Sequence, residues 1–132
     1  MKLQCIVVTP ERKILDKPAD FISFPLYDGE MGVAVNHAPM IGRLGSGELR
    51  IENDKDSESY YISRGFVEVL NNVVTFLTNR ATPAENITPE TADSVYAEAE
   101  ARPATTPAET QLRDSAMTEA RAMRRMAGKT GA

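Results

Sequence analysis

Two residues of this 132-residue chain, Cys5 and His37, could together do nucleophilic chemistry, the thiolate attacking while the imidazole takes its proton. They are its one cysteine and its one histidine. Cys5 lies among Leu3, Ile6, Val7 and Val8, where a thiol packs as a small inert hydrophobe. His37 lies in Asn36-His37-Ala38-Pro39, a turn-like segment better suited to contact than to catalysis. No catalytic residue is therefore expected. A lone cysteine excludes an internal disulfide and suits a reducing compartment. A lone histidine excludes a multi-histidine metal site. Asp54, Asp56 and Glu58 could suggest calcium, but the spaced carboxylates and closing bidentate Glu of a dedicated loop are missing. A solvated hairpin loop accounts for them. Gly29, Gly32, Gly42, Gly45 and Gly47 do not follow the strand–glycine–helix layout of a nucleotide site, and turns between strands explain them. No metal or cofactor is expected.

Arg121, Arg124 and Arg125 share one helix face, with Arg113 eight residues before Arg121. They read either as a solvated face with cations near a helix C-terminus or as a contact strip for an acidic partner. The whole chain carries 15 cations against 19 anions, a net charge of −4, which argues against a nucleic-acid binder. No apolar run approaches the roughly 18–20 residues of a membrane helix. After Lys2, polar residues at Gln4, Thr9 and Glu11 interrupt any signal-like stretch. Neither membrane insertion nor a signal peptide is expected.

The elements that hold these residues change character near residues 80–86. Before that point lie seven of the eight aromatics and six of the eight glycines. After it the chain is rich in alanine and in long charged side chains. Short β-rich runs cover residues 3–9, 13–17, 20–25, 31–35, 40–44, 48–53, 59–63, 66–70 and 73–78. Turn signals separate them, among them Pro10-Glu11-Arg12, Asp28-Gly29-Glu30 and Asn71-Asn72. The pattern predicts an all-β sandwich of about eight to ten short antiparallel strands over residues 1–83.

Residues 84–132 predict an antiparallel hairpin of two helices. Thr88-Pro89-Glu90 opens the first, and Arg102-Pro103 stops it. Thr106-Pro107-Ala108-Glu109 is a capping box opening the second. Leu112, Ala116, Ala120, Met123 and Ala127 form its apolar stripe, and Gly128 is its expected stop. A stripe of Ala and Met buries little apolar area. The first helix is acidic and the second basic, so they attract, though exposed pairs contribute only about 0–1 kcal/mol each. The hairpin is expected either to be held weakly and able to detach, or simply to stay docked on the sandwich.

Several blocks together resemble one family. They are Thr9-Pro10-Glu11-Arg12 with Asp16; Gly29-Glu30-Met31-Gly32-Val33; Asn36-His37-Ala38-Pro39; and Leu44 with Gly47. Tyr61-Ile62-Ser63-Arg64-Gly65-Phe66-Val67-Glu68-Val69, Asn72-Val73-Val74 and Ala81 complete the set. The chain is similar, over its whole length, to epsilon subunits of bacterial F-type ATP synthases. The resemblance implies a non-catalytic rotor part at the cytoplasmic face of the inner membrane. It would couple proton-driven rotation to ATP synthesis by binding the gamma subunit and the c-ring. It places the c-ring contact at Glu30, Met31 and Gly32, and the gamma contact at Thr9, His37, Ala38, Pro39 and Gly42. The hairpin would reach the alpha/beta catalytic head and inhibit ATP hydrolysis through Arg121, Arg124 and Arg125. Some relatives bind ATP through an Ile/Leu-Asp-x-x-Arg-Ala motif. Here that stretch reads Leu112-Arg113-Asp114-Ser115-Ala116, so the resemblance lends ATP binding no support. A different class, a small-ligand or nucleotide-binding sandwich with a helical lid, remains the alternative.

Overall fold

The structure is a computed structural model and describes residues 1–130. The chain divides into two compact units, Met1–Pro83 and a second that begins at Ala84.

The first unit holds β1 (Leu3–Val8), β2 (Lys13–Ala19), β3 (Phe21–Leu26), β4 (Gly29–Ala34), β5 (Met40–Leu44), β6 (Gly47–Asn53), β7 (Asp56–Leu70) and β8 (Val73–Pro83). They are hydrogen-bonded in the order β2-β1-β8-β7-β5-β3-β4, with β6 pairing β3 and β7. The result is an eight-stranded β-sandwich. Alternation builds its core: Leu3, Cys5 and Val7 of β1 face inward, as do Ile22 and Phe24 of β3 and Val74 and Phe76 of β8. Phe24 and Phe76 meet edge to face, centroids 5.1 Å apart.

The pairings are antiparallel apart from β1 with β8, which is parallel. The expectation of antiparallel strands fails there for a topological reason. No hairpin joins the first strand to the last, so no turn dictates their relative direction. Ser59–Ser63 and Phe66–Leu70, read above as separate strands, are halves of the single 15-residue β7. Between them Arg64 (φ 44°) and Gly65 (φ 125°) kink the strand without ending it. β6 pairs with the half before the kink and β5 with the half after it. At the β7–β8 turn, Asn71 (φ 51°) and Asn72 (φ 64°) both take the left-handed conformation of a two-residue hairpin.

In the second unit a 3-10 turn, Ala84–Asn86, precedes α1 (Pro89–Glu100) and α2 (Pro107–Thr130). The Thr88 hydroxyl caps α1 by accepting the Thr91 N–H at 3.1 Å. α1 ends at Glu100, just ahead of Arg102-Pro103. Thr106 caps α2 by accepting the Glu109 N–H at 3.1 Å. The Glu109 carboxylate reaches past the cap to accept the Thr105 hydroxyl at 2.7 Å, which holds its pKa below the ordinary value. α2 runs through Gly128 to Thr130, so the glycine is not its stop. A glycine inside a helix costs about 1 kcal/mol relative to alanine, too little to end a long one.

The apolar stripe of α2 also needs correction. Ala120, Met123 and Ala127 are buried, but Leu112 is 60% exposed, while Met117, Ala122 and Met126 are buried. The hairpin's own core is Ala99, Met117 and Ala120, edged by Val95, Tyr96 and Ala116. Arg113, Met117, Ala120 and Arg124 make the face turned to α1. Arginines stand at both ends of that face, so a search for apolar side chains rotates the helix by about one residue.

Candidate functional site

The residues singled out from sequence lie on three separate surfaces. The first is β4, an edge strand that pairs with β3 alone. Glu30 stands opposite Pro25 and Gly32 opposite Ser23. Glu30 and Gly32 are exposed, while Met31 is half-buried and packs on the core. The Phe21 ring covers Gly32 so closely that a Cβ there would lie 2.3 Å from its Cζ. The ring shields an edge backbone that a glycine would otherwise leave bare. In the adjoining turn the Arg43 guanidinium sits 5.6 Å from the centroid of the exposed Tyr27 ring.

The second surface is the outer face of the β1-β8-β7-β5 layer. His37, Ala38 and Pro39 lead directly into β5, where Ile41 and Arg43 point outward and Gly42, opposite the buried Val67, turns its Cβ position inward toward Leu26 and Val67. The segment is fixed at its start. The Asn36 N–H donates to Asn72 Oδ1 at 2.6 Å, and Asn72 Nδ2 donates to Asn36 Oδ1 at 3.3 Å. His37 Nδ1 lies 2.7 Å from the Ala38 carbonyl oxygen. Thr9 is not brought to this group. It follows β1, donates its hydroxyl to the Arg12 carbonyl at 3.2 Å, and is separated from β5 by β8 and β7. Thr9 and His37–Pro39 therefore mark opposite corners of one layer.

Between those corners runs a band that the sequence reading missed. Arg43, Phe66, Leu77 and Val8 stand directly opposite one another across four strands. Ile41, Glu68, Thr75 and Ile6 form the next row. On this face Ile41 is 76% exposed, Phe66 56%, Leu77 54% and Leu70 45%. Contiguous exposed apolar side chains mark interaction surfaces. A signal was present in the sequence: Val73-Val74 and Phe76-Leu77 are apolar at both parities, the dress of a strand covered on both faces.

The third surface is α2. Arg121 and Arg125 are exposed. Arg124 turns to α1, with its Nε 3.1 Å from Asp93 Oδ1 and its guanidinium carbon 3.7 Å from the Tyr96 ring centroid. At the other end of the interface Arg113 Nε donates to the Glu100 carbonyl oxygen at 3.4 Å. The three-arginine strip is thus divided, two of its members outward and one on the partner helix.

The remaining candidates have structural occupations. Cys5 is fully buried, and desolvation pushes its thiol up to about 12, out of reach as a nucleophile at neutral pH. Asp20 and Asp54 hold the Lys2 ammonium at 2.7 and 3.0 Å, and Glu58 holds Lys17. At the start of α2 an open groove is lined by Thr105, Thr106, Gln111, Asp114, Ser115 and Thr118 among others.

Residues 2–84 match the family described as ATP synthase, Delta/Epsilon chain, beta-sandwich domain. The ATP synthase epsilon chain of Rhodopirellula baltica is 45% identical over 121 residues, covering 92% of this chain and 94% of that one. The chloroplastic ATP synthase epsilon chain of Chlamydomonas reinhardtii is 43% identical over 107 residues, 76% of each chain. Among solved structures, a chain of the Euglena gracilis mitochondrial ATP synthase (OSCP/F1/c-ring) superposes with a TM-score of 0.82 at 26% identity, covering 94% of this chain and 80% of that one. A chain of the Tetrahymena thermophila mitochondrial ATP synthase shares the fold, with a TM-score of 0.77 at 13% identity over 96% of this chain and 97% of that one.

Proposed function

The chain belongs to the ATP synthase epsilon-chain family, and from that membership we propose that it is a non-catalytic central-stalk subunit of an F-type ATP synthase. It couples proton-driven rotation to ATP synthesis by gripping the gamma subunit and resting on the c-ring. It sits peripherally, at the cytoplasmic face of the inner membrane. Among the described residues no helix is long and apolar enough to cross a membrane. The observation that carries the reading is the exposed band of Phe66, Leu77 and Ile41 on a continuously paired eight-stranded sandwich. Torque transmission needs a stiff body with a sticky face, and needs no chemistry from it.

In this assignment the gamma subunit covers the band together with Thr9, His37, Ala38, Pro39 and Gly42. The c-ring meets Glu30, Met31 and Gly32 on the β4 edge. The α1–α2 hairpin restrains ATP hydrolysis by presenting Arg121, Arg124 and Arg125 to acidic segments of the alpha/beta head. The alternative of a nucleotide-binding lid gains nothing from the groove at the start of α2. Its described lining holds the Asp114 carboxylate and no cation, the wrong charge for a triphosphate.

The test is recovery of partners from detergent-solubilised membranes. The wild-type chain should bring down the gamma and c subunits. The double variant F66D/L77D alters two exposed side chains, so it should stay folded and lose gamma by at least about tenfold. Full recovery by that variant would remove the band from the interface. Deleting residues 84–132 should raise ATP hydrolysis by the assembled enzyme. An unchanged rate would end the inhibitory role and leave the stalk role standing.

A further inference from the structure

The two helices of the hairpin share a meagre apolar seam of Ala99, Met117 and Ala120. Polar ties close the seam at its two ends, Arg113 on the Glu100 carbonyl and Arg124 on Asp93 and Tyr96. The second tie is the stronger in kind. A guanidinium 3.7 Å over an aromatic ring and 3.1 Å from a carboxylate makes a cation–π contact and a charge-assisted hydrogen bond at once. It is also the more accessible, because the Arg124 side chain remains 45% exposed and that of Asp93 66%. A neighbouring acidic surface can therefore approach the same guanidinium from solvent. Arg121 and Arg125, exposed beside it, would be met first by such a surface.

We propose that Arg124 is a latch: held by Asp93 and Tyr96 it keeps α2 against α1, and a carboxylate-rich partner surface opens the hairpin by taking the guanidinium from Asp93. The proposal rests on the inhibitory reading of the hairpin for its second half only. While the guanidinium lies over the Tyr96 ring and on Asp93 it holds α2 against α1, so a partner that draws Arg124 away from α1 must break both contacts, and closing the hairpin and gripping such a partner are alternatives. Asp93 is then an internal decoy for the partner's acid, and the balance between them sets how much of the chain stands in the gripping state. The exposed ion pair weakens as salt screens it, so raised ionic strength also loosens the latch.

Amide hydrogen exchange on the full chain tests the latch by itself. Asp93→Asn and Tyr96→Leu should each speed exchange in α1 and α2 by several-fold, and together by about tenfold, while amides of β1–β8 keep their wild-type rates. Asp93→Glu, which keeps the charge, should restore most of the protection. Glu90→Gln removes a carboxylate nearer the α1 N-terminus and so gauges the helix-dipole effect alone; it should change little. Wild-type exchange rates in both Asp93→Asn and Tyr96→Leu would overturn the latch, as would an equal effect of Glu90→Gln.

ATP hydrolysis by the assembled enzyme tests the competition. Asp93→Asn frees the guanidinium and should slow hydrolysis two- to tenfold, whereas Arg124→Gln should speed it. Faster hydrolysis in both variants would overturn the exchange of partners. If deletion of residues 84–132 leaves hydrolysis unaltered, the inhibitory reading fails, and hydrogen exchange alone then decides whether the latch exists.

Discussion

Burial of a single thiol gives this chain a pH dependence that can be assigned to one atom. Desolvation raises Cys5 from an ordinary 9.0 to about 12. The folded state therefore holds the thiol proton more tightly than the unfolded state does. The resulting stability is complete below pH 9 and is lost as pH climbs toward about 12. Urea midpoints should fall between pH 8 and pH 10.5, and Cys5→Ala should remove part of that fall at a cost of about 1 kcal/mol at neutral pH. An identical pH slope in Cys5→Ala would show that the thiol does not carry it. Lys2 and Lys17 are also raised, by their hydrogen bonds to Asp20 and Glu58, so the comparison with the variant is what isolates the thiol. The burial of Cys5 could be read from its place between Leu3 and Val7 at alternate positions. The exposure of Leu112 could not, because the face of α2 that meets α1 is bounded by the arginines at 113 and 124.

Single elements turn on a few backbone positions. Gly65 carries φ 125°, and a Cβ there would lie 1.9 Å from the Leu77 carbonyl oxygen. Gly65→Ala should therefore cost upwards of about 2 kcal/mol, read from the denaturation midpoint, through left-handed strain and displacement of β8 together. A cost below about 0.5 kcal/mol would mean that β7 can straighten at the kink. By the same logic Thr106→Ala should remove about 1 kcal/mol from α2. Its readout is lost helical ellipticity and faster exchange of the Glu109 amide, with unchanged exchange as the contrary result. Turns and caps were legible because their chemistry is local: Asn71-Asn72, Thr88-Pro89 and Thr106-Pro107 each announce a conformation through side chains within a few residues. The continuity of β7 was not. Gly65 signals a special backbone angle, and only the pairing of β5 and β6 on either side of it distinguishes a kink from a chain break.

At the scale of the whole molecule, the main core is confined to the first unit: its buried members run from Leu3 to Phe76. The fragment of residues 1–83 should consequently fold alone and unfold cooperatively in urea, with a slope of about 1 kcal/mol per molar. A non-cooperative, sloping transition would show that the remainder of the chain is required. The surfaces at this scale were the least legible. Val8, Ile41, Phe66 and Leu77 are scattered over most of the unit's length and become neighbours only through strand register, which hydrophobic alternation within each strand does not reveal. Glu30 and His37–Gly42 are proposed as contacts from the family resemblance alone, and the exposed row lies beside the segment from His37 to Pro39. The parallel contact of β1 with β8 has its own consequence for biogenesis. Gln4 faces Val73, so β1 is made some seventy residues before one of its two neighbours. Until then one flank of β1 is an unpaired edge that foreign strands can meet, and its closure has to wait for β8.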